Sequence, residues 1–235
     1  MSMDPQTLAE VMEATWPPAA RQSCGPFLLR DGQGGGKRVS AATVEGPWQQ
    51  DDLIRAEAAM GAHALFLIRA GDEFLDAALA ARGYRVVDPV IAYEALVEDL
   101  IGEGPRRMTA FPHWPPMQIA RQIWADAGIG SARLAVMERV EGAKLVILGR
   151  ANDRASGVAF VACHGAQAML HALEVVPALR RQGSAQDMLR AAAGWALAQR
   201  AVSLSLVVTE ANGPARALYA RMGMHEVGRY HYRQR

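Results

Sequence analysis

An apolar run ends at Val175-Val176-Pro177, passes through Ala178-Leu179-Arg180-Arg181-Gln182-Gly183-Ser184-Ala185, and restarts with helical spacing. This passage leaves the chain few ways to fold. A strand that stops at proline and turns through glycine into a helix exposes the amides of the helix's first turn. The backbone N–H groups of Gly183 to Ala185 would point outward at the positive helix end, where phosphate groups bind. Arg180 and Arg181 add charge. Gly183 and Ala185 let a ligand approach the backbone closely. A plain strand-to-helix turn would carry the same residues, so the flanking sequence has to decide.

Before the turn, 166–176 reads as a strand, with Met169, His171, Leu173 and Val175 on one face. After it, Ser184 to Arg200 reads as a helix, because Ala185, Met188, Leu189, Ala192, Trp195 and Ala196 recur at helical spacing. Ser203 to Val208 alternates as a strand. Asn212 then suits an N-cap, Pro214 fits a first helical turn, and Gly223 suits the stop. A last strand is expected over Val227 to Tyr232.

This order resembles the GNAT superfamily of acyl-CoA-dependent N-acetyltransferases. The family's pyrophosphate loop, Arg/Gln-x-x-Gly-x-Gly/Ala, is filled by Arg180, Gly183 and Ala185. Its later motif, Asn-x-x-Ala-x-x-Leu-Tyr before Gly and a bulky apolar residue, is matched by Asn212, Ala215, Leu218, Tyr219, Gly223 and Met224. The resemblance covers residues 106–235. It implies an α/β fold (α+β mixed sheet), with Met117 to Ala127 as first helix. It also implies a hairpin of Lys144–Arg150 with Ser156–His164, turning at Asn152-Asp153.

The chain of 235 residues allows one or two domains. In the first half, a helix is expected over Gln50–Met60, a strand over Ala64–Ile68 and a helix carrying Asp72 to Leu79. Strands follow at Arg85–Val87 and Val90–Tyr93. Gly83-Tyr84 falls where Gly223-Met224 does, Asp72 where Asn212 does, and Leu79 where Tyr219 does. Residues 1–104 are read as a degenerate GNAT-like domain without the cofactor loop, and 105–235 as the N-acetyltransferase domain. An unrelated α+β extension is the alternative. The tandem reading implies a central, mostly antiparallel sheet with flanking helices in each half. Phe27–Arg30 and Arg38–Val44 would form a hairpin. Its glycine-rich tip, Gly32 to Lys37, fails the Gly-x-x-x-x-Gly-Lys-Ser/Thr phosphate-loop pattern because Arg38 follows Lys37. It is taken as a flexible connection.

A net charge of +1 offers no field for nucleic acid or an anionic membrane. Cys24 and Cys163 form neither a scaffold nor a metal spacing, so no metal is expected. Cys163 reads as a small core residue. The Met1 to Pro5 stretch lacks a secretory pattern, and no apolar run approaches ~20 residues. The expectation is a cytoplasmic monomer or homodimer that does not bind a membrane.

The resemblance implies acetyl-CoA as cofactor and direct attack by an amine, with no covalent enzyme intermediate. The acceptor would be a small molecule or a peptide. Arg180, Arg181, Gln182, Gly183, Ser184 and Ala185 would hold the pyrophosphate. Leu173, Glu174 and Val175 would offer backbone to the pantetheine arm, and Asn212 would contact the cofactor as well as cap its helix. Tyr219, a phenol with an ordinary pKa near ~10, would protonate the departing thiolate. Glu174 and His171 are the candidate bases, on opposite faces of their strand by period 2. Either could instead be a satisfied polar residue, and water could serve. His113, Trp114 and Trp124 lie where the family often builds its acceptor pocket. His225, Tyr230, His231, Tyr232 and Arg233 would end the last strand near it, or simply be solvated. Two further readings stay open: a non-catalytic acyl-CoA-binding module, and a scaffold whose first half serves dimerisation.

Overall fold

The computed structural model describes residues 3–235; Met1 and Ser2, part of the Met1 to Pro5 stretch read above for a secretory pattern, lie outside the described residues. Helix α1 (Pro5–Thr15) opens the chain. The Asp4 carboxylate accepts from the amides of Gln6 and Thr7, and Pro5 sits where no intrahelical N–H is needed. Strands β1 (Ala20–Cys24), β2 (Phe27–Asp31) and β3 (Thr43–Val44) form a small antiparallel sheet. Helix α2 (Gln50–Met60), strand β4 (Leu65–Ile68), helix α3 (Glu73–Ala81), strand β5 (Arg85–Leu96) and the short α4 (Val97–Ile101) follow.

Strand β6 (Ala110–His113), helices α5 (Gln118–Asp126) and α6 (Ser131–Arg139), and the hairpin β7 (Lys144–Ala151) with β8 (Arg154–His164) open the second half. Asn152 and Asp153 take the positive φ values that the expected tight turn requires. Strand β9 (Gln167–Val175), helix α7 (Ser184–Ala198), strand β10 (Ser203–Thr209), helix α8 (Gly213–Arg221) and strand β11 (His225–Gln234) complete the chain.

The second arm expected over Arg38–Val44 is a single 3-10 turn, Lys37–Val39, followed by the two-residue β3. The glycine-rich tip before it is docked rather than flexible. A Cβ built on Gly35 would meet the Val136 side chain at 2.6 Å, so only glycine lets this loop lie on α6.

The expected mixed α/β architecture is present, but the two sheets expected, one per half, are joined into one of eight strands. Its order is β4-β11-β5-β10-β9-β8-β7-β6. Among the described residues, the only parallel ladder in this sheet joins β9 and β10. The halves exchange strands across the expected boundary at 104/105. β5 lies between β10 and β11, and β11 lies between β4 and β5. The registers are congruent. Val208 faces Ile91, and Ile68 faces His231. Sliding the chain so that Gly83-Tyr84 falls on Gly223-Met224 carries the first pair onto the second. It also carries Glu94↔His225 onto Arg85↔Gln234.

Alternation sorts the side chains of the large sheet to two faces. Leu145, Ile147, Val161, Leu170, Leu206 and Ile91 pack against α7, α8 and α4. Val146, Val158 and Phe160 pack against α5, α6 and Trp16. On that second face α1 covers the middle of the sheet through Val11 and Met12 against Leu67, Ala92 and Tyr232. The first half has its own cluster, Phe27, Phe66, Leu53, Leu75 and Leu79, beneath α2 and α3. Glu94 is buried on β5 and accepts from the Ser203 hydroxyl at 2.6 Å and the Met3 amide at 2.9 Å. Its carboxyl oxygens thereby find protein donors in place of water. Among the described residues no helix is long and apolar enough to cross a membrane.

Residues 105–235 expressed alone would leave β10 and β11 facing a gap where β5 belongs. The expected outcome is loss of a cooperative thermal transition, regained when residues 1–104 are co-expressed. A sharp melt of the fragment by circular dichroism would refute this dependence.

Candidate active site

The cradle is built where β9 parts from β10. β9 and β10 pair only from Gln167↔Ser203 to Leu170↔Leu206. Beyond that point they diverge, so residues 171–175 have no ladder partner on the β10 side. The other edge of β9 stays paired with β8, but with a bulge. Phe160 faces His171, yet Val158 faces Glu174. The extra residue falls where Ala172 takes a φ of +49°. The fully buried Trp124 donates its indole N–H to the Ala172 carbonyl at 2.8 Å, which holds the kink.

The bulge overturns one expectation. Period 2 alone places Glu174 and His171 on opposite faces. The inserted residue instead puts both on the face of Val158 and Phe160, toward α5, α6 and α1. Leu173 and Val175 turn to the other face, against α7.

After one 3-10 turn at Pro177–Leu179, Arg181 and Gly183 adopt left-handed φ values of +64° and +85°. This swings the chain into α7. Gly183 caps α7 without a side chain, so the amides of Ser184, Ala185 and Gln186 have no partner in the preceding turn. The Ser184 hydroxyl is also buried without a partner among the described residues. Three contacts brace the loop. Arg180 Nε donates to the Val175 carbonyl at 3.3 Å, Asn152 Nδ2 donates to Gln182 Oε1 at 2.9 Å, and Arg106 Nη2 donates to the Gln182 carbonyl at 2.7 Å. Arg106 also pairs with the buried Asp187. Sequence reasoning missed Arg106 and Asp187, because neither belongs to a motif.

Tyr219 projects from α8 and is buried, with its ring 5.8 Å from that of Tyr93 on β5. Burial first, and the Glu174 charge second, push its phenol well above the usual range. Tyr93 comes from the first half, so both halves wall this position. The Asn212 side chain accepts from the Ala215 amide at 3.2 Å, as a cap should. Glu174 is half-buried; desolvation raises its carboxyl above the usual value, against the opposing charges of Arg180 and Arg133. Arg133 of α6 lies against Gly36, on the same side of the sheet.

His171 is locked. Thr15 Oγ1 donates to the Val11 carbonyl, so it accepts from His171 Nε2 at 2.8 Å. Nδ1 then accepts from Arg38 Nη1 at 3.0 Å. The Trp16 ring stacks on the imidazole at 5.0 Å. Burial, and then the Arg38 charge, hold its pKa well below the usual range. Neither nitrogen is free to accept a substrate proton.

Of the other residues expected near an acceptor pocket, Trp124 alone reaches the divergent stretch of β9, through its hydrogen bond to Ala172. His113 is on β6, separated from β9 by β7 and β8. Trp114 follows it and lies under Lys144. Trp124 is core. The strand exchange puts both β5 and β10 between β11 and β9. His231 and Arg233 accordingly pair with Asp76 of α3, and Tyr230 and Tyr232 pack beneath α1. His225 is exposed, 4.0 Å from Glu94. Burial pushes the Cys163 thiol up to about 11, which keeps it protonated. A groove of about 960 Å³ runs along α1, lined by Glu13, Arg30, Arg38 and Arg69, and does not include the cradle.

Residues 116–224 match the family model "Acetyltransferase (GNAT) family". Over the whole chain the protein is 23% identical to an uncharacterized N-acetyltransferase, YobR, of Bacillus subtilis (strain 168), covering 98% of each chain. A GCN5-related N-acetyltransferase from Kribbella flavida superposes with a TM-score of 0.72 at 16% identity, covering 99% of this chain and 95% of that one. A tandem GNAT protein from the clavulanic acid biosynthesis pathway superposes at 0.63 with 16% identity, covering 97% and 86%. The two structural likenesses establish the fold.

The neutral His171 carries a stability consequence. Its folded pKa is depressed, so its contribution is present above the unfolded value of about 6.5 and is lost as pH falls below it. Denaturation midpoints of the wild type should drop between about pH 7 and pH 5. His171→Gln should flatten that drop; an equal slope in both proteins would contradict the locked imidazole.

Proposed function

We propose, on the premise that residues 116–224 are a GNAT acetyltransferase domain, that the protein is an N-acetyltransferase. It would move an acetyl group from acetyl-CoA to a primary amine by direct attack in a ternary complex. The observation that carries this reading is the uncapped start of α7 behind Gly183, placed where β9 and β10 diverge. The residues fit the group. Orphan amides of Ser184 and Ala185, with the unpartnered Ser184 hydroxyl, supply donors for a diphosphate. The unpaired edge of β9 at Leu173 and Val175 supplies backbone partners for an extended amide-bearing arm.

Acetyl-CoA, when bound, supplies a thioester as acyl donor. Glu174 is the candidate base: it faces the side of the sheet opposite Leu173 and Val175, and its raised affinity for protons suits removal of one from an ammonium. Tyr219, kept protonated by burial, is the candidate donor to the departing sulfur. His171 is left a positioning role, since its two hydrogen bonds tie β9 to α1 and Arg38 just before the bulge. Trp16 and α1 cover the acceptor side next to His171, which favours a small amine over a long peptide. The congruent registers of the exchanged strands support reading residues 1–104 as a second copy of the fold without a cradle. Residues 45–49 join β3 to α2, where the longer stretch 176–183 joins β9 to α7.

Titration calorimetry with coenzyme A tests the cradle. Gly183→Glu should weaken binding by more than about tenfold, since a side chain is strained at its φ of +85°, would displace the Arg106 guanidinium and would bring a negative charge to the cradle. Unchanged affinity would remove the assignment. An amine panel read by free-thiol release tests the chemistry. Tyr219→Phe and Glu174→Gln should each slow transfer by roughly 10²–10⁴-fold with little change in cofactor affinity. The wild-type rate should climb with pH through a carboxyl pKa above the ordinary one, and Glu174→Gln should abolish that limb. Binding of coenzyme A with no transfer to any amine would point instead to a non-catalytic acyl-CoA-binding module.

A further inference from the structure

The segment joining the two halves places a cation against the cradle that no motif contains. The main-chain N–H of Arg106 donates to Asp187 Oδ1 at 3.1 Å, and its Nε and Nη2 donate to Oδ2 at 2.9 and 2.7 Å. The same Nη2 donates to the Gln182 carbonyl at 2.7 Å. A Cβ built on Gly183 would lie 2.7 Å from that nitrogen, so the guanidinium rests on the glycine of the turn. The two partners differ in exposure: the Asp187 side chain is 2% accessible and that of Arg106 is 56%. Burial works to raise the Asp187 carboxyl, but the hydrogen bonds from Arg106 outweigh it and hold the group below the usual range, so it is ionised at neutral pH.

A carboxylate at this position is a liability for an anion site. The start of α7 attracts negative charge because its amides and dipole point outward. An ionised Asp187 one turn inside the helix works against that attraction at short range and is poorly screened by solvent. Removing the carboxylate's partner alone would leave a bare buried charge beneath the loop. Paired, the two side chains carry no net charge, and the attraction of the helix start is restored.

We propose that Arg106 is a positioning residue of the cofactor cradle, whose main effect is to cancel the charge of Asp187 beneath the site for the phosphates. The inference rests on the reading that the cradle binds coenzyme A. It assigns the joining segment a part in binding: the connection between the halves completes the electrostatics of a loop that lies far from it in sequence.

Titration calorimetry of the full-length protein with coenzyme A provides the test, with melting temperatures recorded alongside. Arg106→Ala should weaken binding about tenfold or more at low salt, and less at about 0.5 M salt, where charge repulsion is screened. Arg106→Gln, which can still donate a hydrogen bond to Asp187, should weaken it comparably and guards against a folding defect in the alanine variant. The double variant Arg106→Ala with Asp187→Asn should return to within about threefold of the wild type. Wild-type affinity in both single variants would overturn the proposal. So would a double variant as weak as Arg106→Ala, since that marks a purely structural clamp. If the wild type itself does not bind coenzyme A, the reading of the cradle fails and this proposal falls with it. Binding by the wild type that is insensitive to Arg106 sinks only the present inference.

Discussion

The antiparallel ladder between β5 and β11 holds the molecule together. Through it two half-sheets become one, with β5 of the first half lodged against β10 of the second, and β11 of the second lodged against β4 of the first. Backbone hydrogen bonds are obligatory for buried strands, so neither half can satisfy its central strands alone. The same ladder sets what surrounds the candidate site. It brings Tyr93 to within ring contact of Tyr219, and it carries His231 and Arg233 away to Asp76.

Within that frame, the bulge at Ala172 decides the chemistry that β9 can present. One inserted residue turns Glu174 to the side of α6 and leaves Leu173 and Val175 toward α7. Trp124 holds the bulge from the core side with a single indole hydrogen bond, a contact of about 1 kcal/mol in isolation. His171 sits just before the bulge, tied to Thr15 and Arg38. Strand divergence, bulge and cradle follow one another over a short stretch of chain, so the groups proposed for binding and for proton transfer share one scaffold.

Local signals carried a large part of this architecture. The helices at Gln50–Met60 and after Gly183 follow from apolar spacing, and Asn212 caps α8 as its residue type dictates. Asn152-Asp153 marks the β7–β8 turn because those residues tolerate positive φ. The Asp4-Pro5 start of α1 was also legible in principle, as a cap followed by a first-turn proline. The bulge was not: an alanine stands at its left-handed position, where no glycine or proline announces a break. Arg106 and Asp187 were silent for a different reason, since an ion pair between segments so far apart in sequence leaves no spacing to read.

The amino-acid sequence alone determined the strand-turn-helix cradle, the cap and tyrosine of α8, and the family they resemble, because short-range backbone preferences and side-chain periodicity suffice for each. Only the tertiary structure decided which strands neighbour one another, which face Glu174 occupies, and that His171 is spent on Thr15 and Arg38. Those outcomes depend on register and on contacts between residues distant in the chain. A shift of one residue reverses every side chain on a strand, and no local pattern encodes it.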